Sequence, residues 1–162
     1  MKVLVTGGAG YIGSHAVREL TEAGHDVSVL DNLSHGHREA IHPKAKFFEG
    51  NTGDSISIKE ILMSEKIDAV MHFAADIEVG ESVSDPGKYY FNNFTNALTL
   101  LSTMNECGVK KIVFSSTAAI YGEPDKNPVE ENQARAAINP YGRSKMMTEM
   151  AIEDFSKAHG LG

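Results

Sequence analysis

Residues 2–13 read KVLVTGGAGYIG. A short apolar run, 2–6, leads into a turn carrying Gly7, Gly8, Gly10 and Gly13. Behind the turn, Ile12, Ala16, Val17, Leu20 and Ala23 recur at helical spacing until Gly24, which stops the helix. The glycines satisfy GxxGxxG (7, 10, 13) and GxGxxG (8, 10, 13). A strand before and a helix after is the setting in which such a turn cradles a diphosphate. Glycine lets the backbone turn tightly and come close, and the free N–H groups of the helix start meet the negative charge.

The remaining chain repeats the alternation. DVSVLD (26–31), KFFEG (46–50), DAVMHF (68–73) and KKIVFSS (110–116) read as four further strands. Helices are expected at Ser57–Ser64, from Asp85-Pro86 to about Cys107, and from Asn139-Pro140 to His159. Strands alternating with helices predict an α/β fold with a doubly wound parallel sheet of Rossmann type. The polar stretch 123–138 reads as a long loop, a lid or a solvated excursion.

Composition narrows the partners. The chain has 162 residues, 41% hydrophobic and 23% charged, which suits one globular domain spanning 1–162. A net charge of −7 argues against nucleic acid, whose phosphates want a basic face. No run is long enough to cross a membrane. The one cysteine, Cys107, excludes an internal disulfide and fits a cytoplasmic location.

The second strand ends on Asp31, 18 residues past Gly13. A carboxylate there binds a ribose 2′-hydroxyl and repels a 2′-phosphate, so NAD is expected over NADP; Arg38 is a nearby cation that would soften this. Gly7, Gly10, Tyr11, Ile12 and Gly13, with Asp31 and Asn32, form the candidate dinucleotide turn. Asn51 or Asp54, after the third strand, can reach an adenine edge, with Thr52 between them. Phe73, Ala74 and Ala75 follow the fourth strand, where small residues let a cofactor lie against backbone.

Downstream, NPYGRSK (139–145) places Tyr141 and Lys145 one turn apart on one helix face. Asn139 is a good N-cap and Pro140 suits the first helical position. An ammonium and a helix N-terminus both favour a phenolate, which can then act as a base. The plainer alternative is a surface tyrosine stacked on a lysine stem. Ser115, Ser116 and Thr117 end the fifth strand, where open α/β sheets bind ligands; hydroxyls there also commonly cap the turn. His35, His37 and His42 are read as solvated rather than metal-binding, and His72 as a core histidine.

The segments VTGGAGYIGSH, LDNLSHG, HFAADIEVGESV, YYFNN, FSSTAAIYGEP and NPYGRSKMMTEM together resemble the extended short-chain dehydrogenase/reductase family. Within it they are most like the UDP-glucose (UDP-galactose) 4-epimerases. The resemblance implies tightly held NAD, with Tyr141 as base toward the sugar 4-hydroxyl and Lys145 holding both the phenolate and the nicotinamide ribose. It implies Thr117 beside the sugar O4, and Asn92, Ser115 and Ser116 near the nicotinamide end. A homodimer through the helices near 86–107 and 140–159 is implied too, with Met104, Met146, Met147 and Met150 as candidate contributors.

Three departures stand out. Asn51 takes the place of the usual Asp, and its carbonyl oxygen is expected to accept from the adenine amino group. Ile77 stands where Lys or Ser is common. Family members also run to about double this length, so the substrate-binding half is expected to be absent and activity low. The fifth strand would then be a sheet edge prone to self-association unless residues 160–162 cover it. The alternatives are a noncatalytic NAD-binding module, or another nucleotide-sugar epimerase or dehydratase. Ala118-Ala119 stand where a dehydratase needs an acid–base pair, which argues against the last.

Overall fold

The computed structural model describes residues 1–124 and 126–162. The strands are β1 Lys2–Thr6, β2 Asp26–Asp31, β3 Lys46–Glu49, β4 Ala69–His72 and β5 Ile112–Phe114. All pair in parallel, in the order β3-β2-β1-β4-β5. The chain winds from β1 outward through β2 to β3, then returns to the other side of β1 with β4. The reversal leaves a crevice above the C-terminal ends of β1 and β4, the usual ligand position in such sheets.

The helices are α1 Tyr11–Glu22, α2 Ser55–Ser64, α3 Val79–Ser84, α4 Pro86–Tyr89, α5 Asn96–Glu106 and α6 Pro140–His159. Alternation along β1 separates two cores. Val3 and Val5 pack with Val17 of α1 and with Val27 and Val29. Leu4, on the opposite face, joins Ile58, Leu62, Leu100, Leu101 and Met104 from α2 and α5, with Ile152 and Phe155 of α6 packed against them.

Several elements differ from the sequence expectation. The helix expected to run from Pro86 to about Cys107 is interrupted by a π-helical turn, Tyr90–Thr95, between α4 and α5. The wider turn inserts an extra residue per hydrogen-bonded loop. α3 precedes it and was not anticipated. β5 is shorter than 110–116 at both ends, spanning Ile112–Phe114, although the Ser115 amide still donates to the His72 carbonyl of β4 at 3.1 Å. α2 begins at Ser55, capped by the Asp54 carboxylate, which accepts from the Ile56 and Ser57 amides. α6 has its expected bounds: Asn139 accepts from the Gly142 amide at 2.8 Å and Gly160 closes the helix in a left-handed conformation.

Beyond α6 the chain turns along the outer edge of β5. The Gly162 amide donates to the Lys110 carbonyl at 2.7 Å, and the Ile112 amide donates to the Gly162 carbonyl at 2.8 Å. Leu161 is buried in the second core. Residues 160–162 thus cover the start of that edge, while Val113 stays exposed. Met104 is fully buried and has no surface to offer a second copy; Met150 on α6 is exposed.

Candidate functional site

Two adjoining cavities occupy the crevice. The first is lined by Gly7, Gly10, Asp31, Asn32, Asn51, Thr52, Phe73, Ala74, Ala75 and Asn92. The second takes in Gly7, Gly10, Tyr11, Ile12, Gly13, Phe73, Ala75, Ser115, Ser116, Tyr141 and Lys145. Candidates spread over most of the chain therefore converge on one surface. Asn92 falls in the first cavity, beside Asn51, and not in the one holding Tyr141.

The glycine turn is close-packed. Gly7 has φ +73°, and a Cβ there would lie 2.5 Å from the Ala74 amide nitrogen. A Cβ on Gly13 would collide with the Gly7 carbonyl oxygen. Asp31 closes the turn from β2: its Oδ2 accepts from the Ala9 amide at 2.9 Å and its Oδ1 from the Leu33 amide at 2.8 Å. Two backbone donors fix the carboxylate and leave its other lone pairs for a ligand. Arg38 is turned away onto the Phe47 ring, 4.4 Å from the centroid, and does not line the crevice.

At the other end, α6 delivers Tyr141 and Lys145 in its first two turns. Lys145 is buried, its Nζ donating to the Ser115 carbonyl at 2.9 Å and standing 4.9 Å from the Phe114 ring centroid. Burial pushes its ammonium down to about 8. The Tyr141 ring meets Tyr89 edge-on, centroids 6.5 Å apart. The Ser116 hydroxyl oxygen is buried with no hydrogen-bond partner among the described residues. Buried polar atoms are nearly always paired, and among the described residues this one is an exception. Thr117 lies outside the cavity lining; its Oγ1 accepts from the Ala119 amide at 3.1 Å and caps the short turn Ala118–Tyr121. Its own proton remains available to donate.

Asparagines join the two ends. Asn93 Oδ1 accepts from the Asp76 amide at 2.8 Å while its Nδ2 donates to the Asp76 carbonyl at 2.9 Å and to Ser144 Oγ at 3.2 Å. This clamps the segment after β4 to the π turn and to α6. His72 is a core histidine: it is buried and shares a 2.6 Å hydrogen bond with Thr6 Oγ1. Burial, with the Lys145 charge adding to it, pushes its imidazole down to about 3.

Residues not singled out in the sequence, together with His35, which was read there as solvated, also line the second cavity. Tyr89, fully buried, donates its hydroxyl to Glu81 Oε2 at 2.7 Å. Lys88 donates to both Glu81 oxygens, at 2.8 and 2.9 Å. His35, from the loop after β2, approaches Asp76 across the crevice, Nε2 to Oδ1 3.4 Å. No group of His, Cys, Asp and Glu suited to a metal occurs among the described residues, and none of their helices is long and apolar enough to cross a membrane.

A nucleotide-type crevice with a tyrosine–lysine pair at one end defines the class. Residues 3–162 match the NAD dependent epimerase/dehydratase family, and the chain belongs to that family. It is 56% identical over 161 residues to a UDP-glucose 4-epimerase of Lactobacillus helveticus, covering 99% of this chain and 49% of the relative. The structure of UDP-glucose 4-epimerase from Brucella ovis in complex with NAD superimposes with TM-score 0.96 at 42% identity, covering 99% of this chain and 49% of that one. That from Thermotoga maritima with UDP-glucose gives TM-score 0.95 at 42% identity, with 99% and 53% covered. The chain spans about half the length of the curated relatives it matches.

Proposed function

We propose that this crevice holds NAD and carries the proton-transfer half of a C4 epimerisation of UDP-glucose and UDP-galactose. One observation carries the reading: Tyr141, Lys145 and the unpartnered Ser116 hydroxyl line the same cavity as the glycine turn. The residues fit the dinucleotide. Gly7 and Gly13 leave a surface that a Cβ would fill, and Asp31 offers a fixed carboxylate to a ribose. Arg38 is stacked on Phe47 and no Lys or Arg among the described residues lines the cavity of Asp31, which favours NAD over NADP. The amides at the start of α1 would meet the pyrophosphate.

When bound, NAD supplies reversible hydride chemistry at the sugar carbon. The chain's own work is acid–base. Tyr141 removes the proton from the sugar 4-hydroxyl and returns it after the sugar has turned over. The Lys145 ammonium, held on the Ser115 carbonyl, stabilises the negative charge that forms on the phenol oxygen. Thr117 donates its free proton to the sugar O4, and Ser116 gives the ligand a hydrogen bond that the ligand-free protein lacks.

The test has two arms. Calorimetric titration with NAD should saturate, and absence of binding would overturn the reading. In a UDP-galactose turnover assay, Tyr141→Phe should remove the rate without weakening NAD binding; an unchanged rate would remove Tyr141 from its role. A second reading, a noncatalytic NAD-binding module, is favoured by the half-length match to the relatives. NAD binding with no UDP-sugar binding would support it.

A further inference from the structure

The two cavities of the crevice share a junction. Gly7, Gly10, Phe73 and Ala75 line both, and so do His35 and Asp76. His35 comes to the junction from the loop after β2, Asp76 from the segment after β4. Their side chains meet there, His35 Nε2 to Asp76 Oδ1 3.4 Å, the one ion-pair contact between those two segments among the described residues. A dinucleotide with a ribose on Asp31 and its reacting ring at Tyr141 has to pass this junction.

Both partners stand on backbone that is held. Asn32 Oδ1 accepts from the Ser34 amide at 3.0 Å, and the His37 amide donates to the Ala9 carbonyl at 3.0 Å. Gly36 presses on the glycine turn so closely that a Cβ would lie 2.7 Å from the Ala9 Cβ. Asp76 is fixed through its own amide and carbonyl by Asn93. The His35 side chain is 69% exposed, so rotation about its own bonds is enough to make or break the contact.

Charge decides which. The Asp76 side chain is only 10% exposed. Its other cation, Lys88 Nζ, stands 4.0 Å away and is drawn instead to both Glu81 oxygens, at 2.8 and 2.9 Å. Two carboxylates thus share one ammonium, and Glu78 lines the same cavity. On the other side, Asp31 is held by the Ala9 and Leu33 amides and Arg38 is turned onto Phe47. From α6, Lys145 and Tyr141 line the second cavity only. An imidazolium at His35 supplies the missing positive charge, whereas a neutral imidazole leaves the junction net negative.

We infer that His35 and Asp76 form a pH-dependent clasp over the middle of the crevice, closing on a bound dinucleotide when His35 is protonated and freeing it when His35 is neutral. An imidazolium pulls on Asp76 and shuts the junction. Deprotonation removes that pull and leaves the Asp76 charge uncompensated beside a diphosphate, which it repels. Escape therefore quickens as pH rises through the range in which imidazoles titrate. This inference rests on the reading of the crevice as an NAD site.

The experiment follows release of NADH by its fluorescence after a chase with excess NAD, from about pH 5.5 to about pH 7.5. That interval stays below the value of about 8 to which burial pushes the Lys145 ammonium. Wild type should release NADH about fivefold faster at the upper end. His35→Asn and Asp76→Asn should each flatten that dependence, and joining them should flatten it no further. A dependence kept in His35→Asn would overturn the clasp. So would one lost in His35→Asn but kept in Asp76→Asn, since the imidazole would then act on the ligand directly. Wild type that binds NADH yet releases it at one rate throughout would overturn the clasp and leave the NAD site standing. No binding of NADH at any pH would overturn both.

Discussion

Lys145 Nζ donates to the Ser115 carbonyl at 2.9 Å, tying the second turn of α6 to the C-terminal end of β5. The bond links the two elements that carry the chemistry, and it buries an ammonium to do so. Burial pushes that ammonium from an ordinary 10.5 down to about 8. A lysine whose protonation is weakened by folding opposes folding while it is charged. The penalty is full below about 8, because both states then hold the proton, and it is relieved as pH rises toward 10.5. Replacing Lys145 by Met should therefore stabilise the ligand-free protein near neutral pH by something on the order of 3 kcal/mol. That advantage should shrink as pH climbs through the interval. Urea unfolding of both proteins from pH 7 to pH 10 checks it; a pH-independent difference would count against the burial argument.

Ser116 offers a trade between stability and binding. Its hydroxyl oxygen is buried and unpartnered among the described residues. Ser116→Ala should raise the unfolding free energy of the ligand-free chain by about 1 kcal/mol while weakening the ligand that would pair with that oxygen. Such an opposition is common where a site is built ahead of its ligand. Thermal melts with and without NAD and UDP-sugar would read both effects. A variant less stable than wild type would mean the hydroxyl has a partner after all.

His72 should stay neutral well into acid. Its imidazole is buried against Thr6 and pushed down to about 3 from 6.5. Between those values the unfolded chain takes up a proton that the fold refuses, so His72 subtracts stability as pH falls. Imidazole resonances followed by NMR from pH 7 to pH 4.5 should show one histidine that does not titrate. A midpoint near 6.5 for His72 would contradict its placement.

Gly7→Ala tests the turn itself. The new methyl would press on the backbone of Ala74, and φ +73° is strained for alanine. Neither side can give way easily, because one is the end of β1 and the other follows β4. A loss of about 2 kcal/mol or more is expected, with NAD binding lost even where the fold survives. A variant with wild-type stability would mean the two loops are looser than they stand here.

Some of this was legible in the chain. β1, β2 and α6 keep the bounds read from sequence because each is punctuated by local chemistry: a glycine turn, an alternating strand, an asparagine cap with proline behind it. α3 was missed because Val79 and Val83 are exposed and draw no apolar stripe. The π turn was missed because Tyr89, Leu100 and Met104 are buried as any helix would bury them, and the change lies in backbone hydrogen bonds that periodicity does not record. Most of the site residues announced themselves through the glycine turn, Asp31 and the tyrosine–lysine spacing. His35 with Asp76, and Tyr89 with Glu81, did not, since each pair depends on which loops the sheet order brings together.

The π turn at Tyr90–Thr95 also sets the phasing of everything behind it. An α-helix advances about 100° per residue, so deleting one residue there would regularise the hydrogen bonding yet rotate α5 as a unit. Asn96, whose Nδ2 donates to Asn51 Oδ1 at 3.0 Å, would swing off it, and Leu100 and Met104 would leave the core beneath the sheet together. The local irregularity therefore couples crevice and hydrophobic interior through a single angular offset, and a shortened helix would be expected to lose both at once.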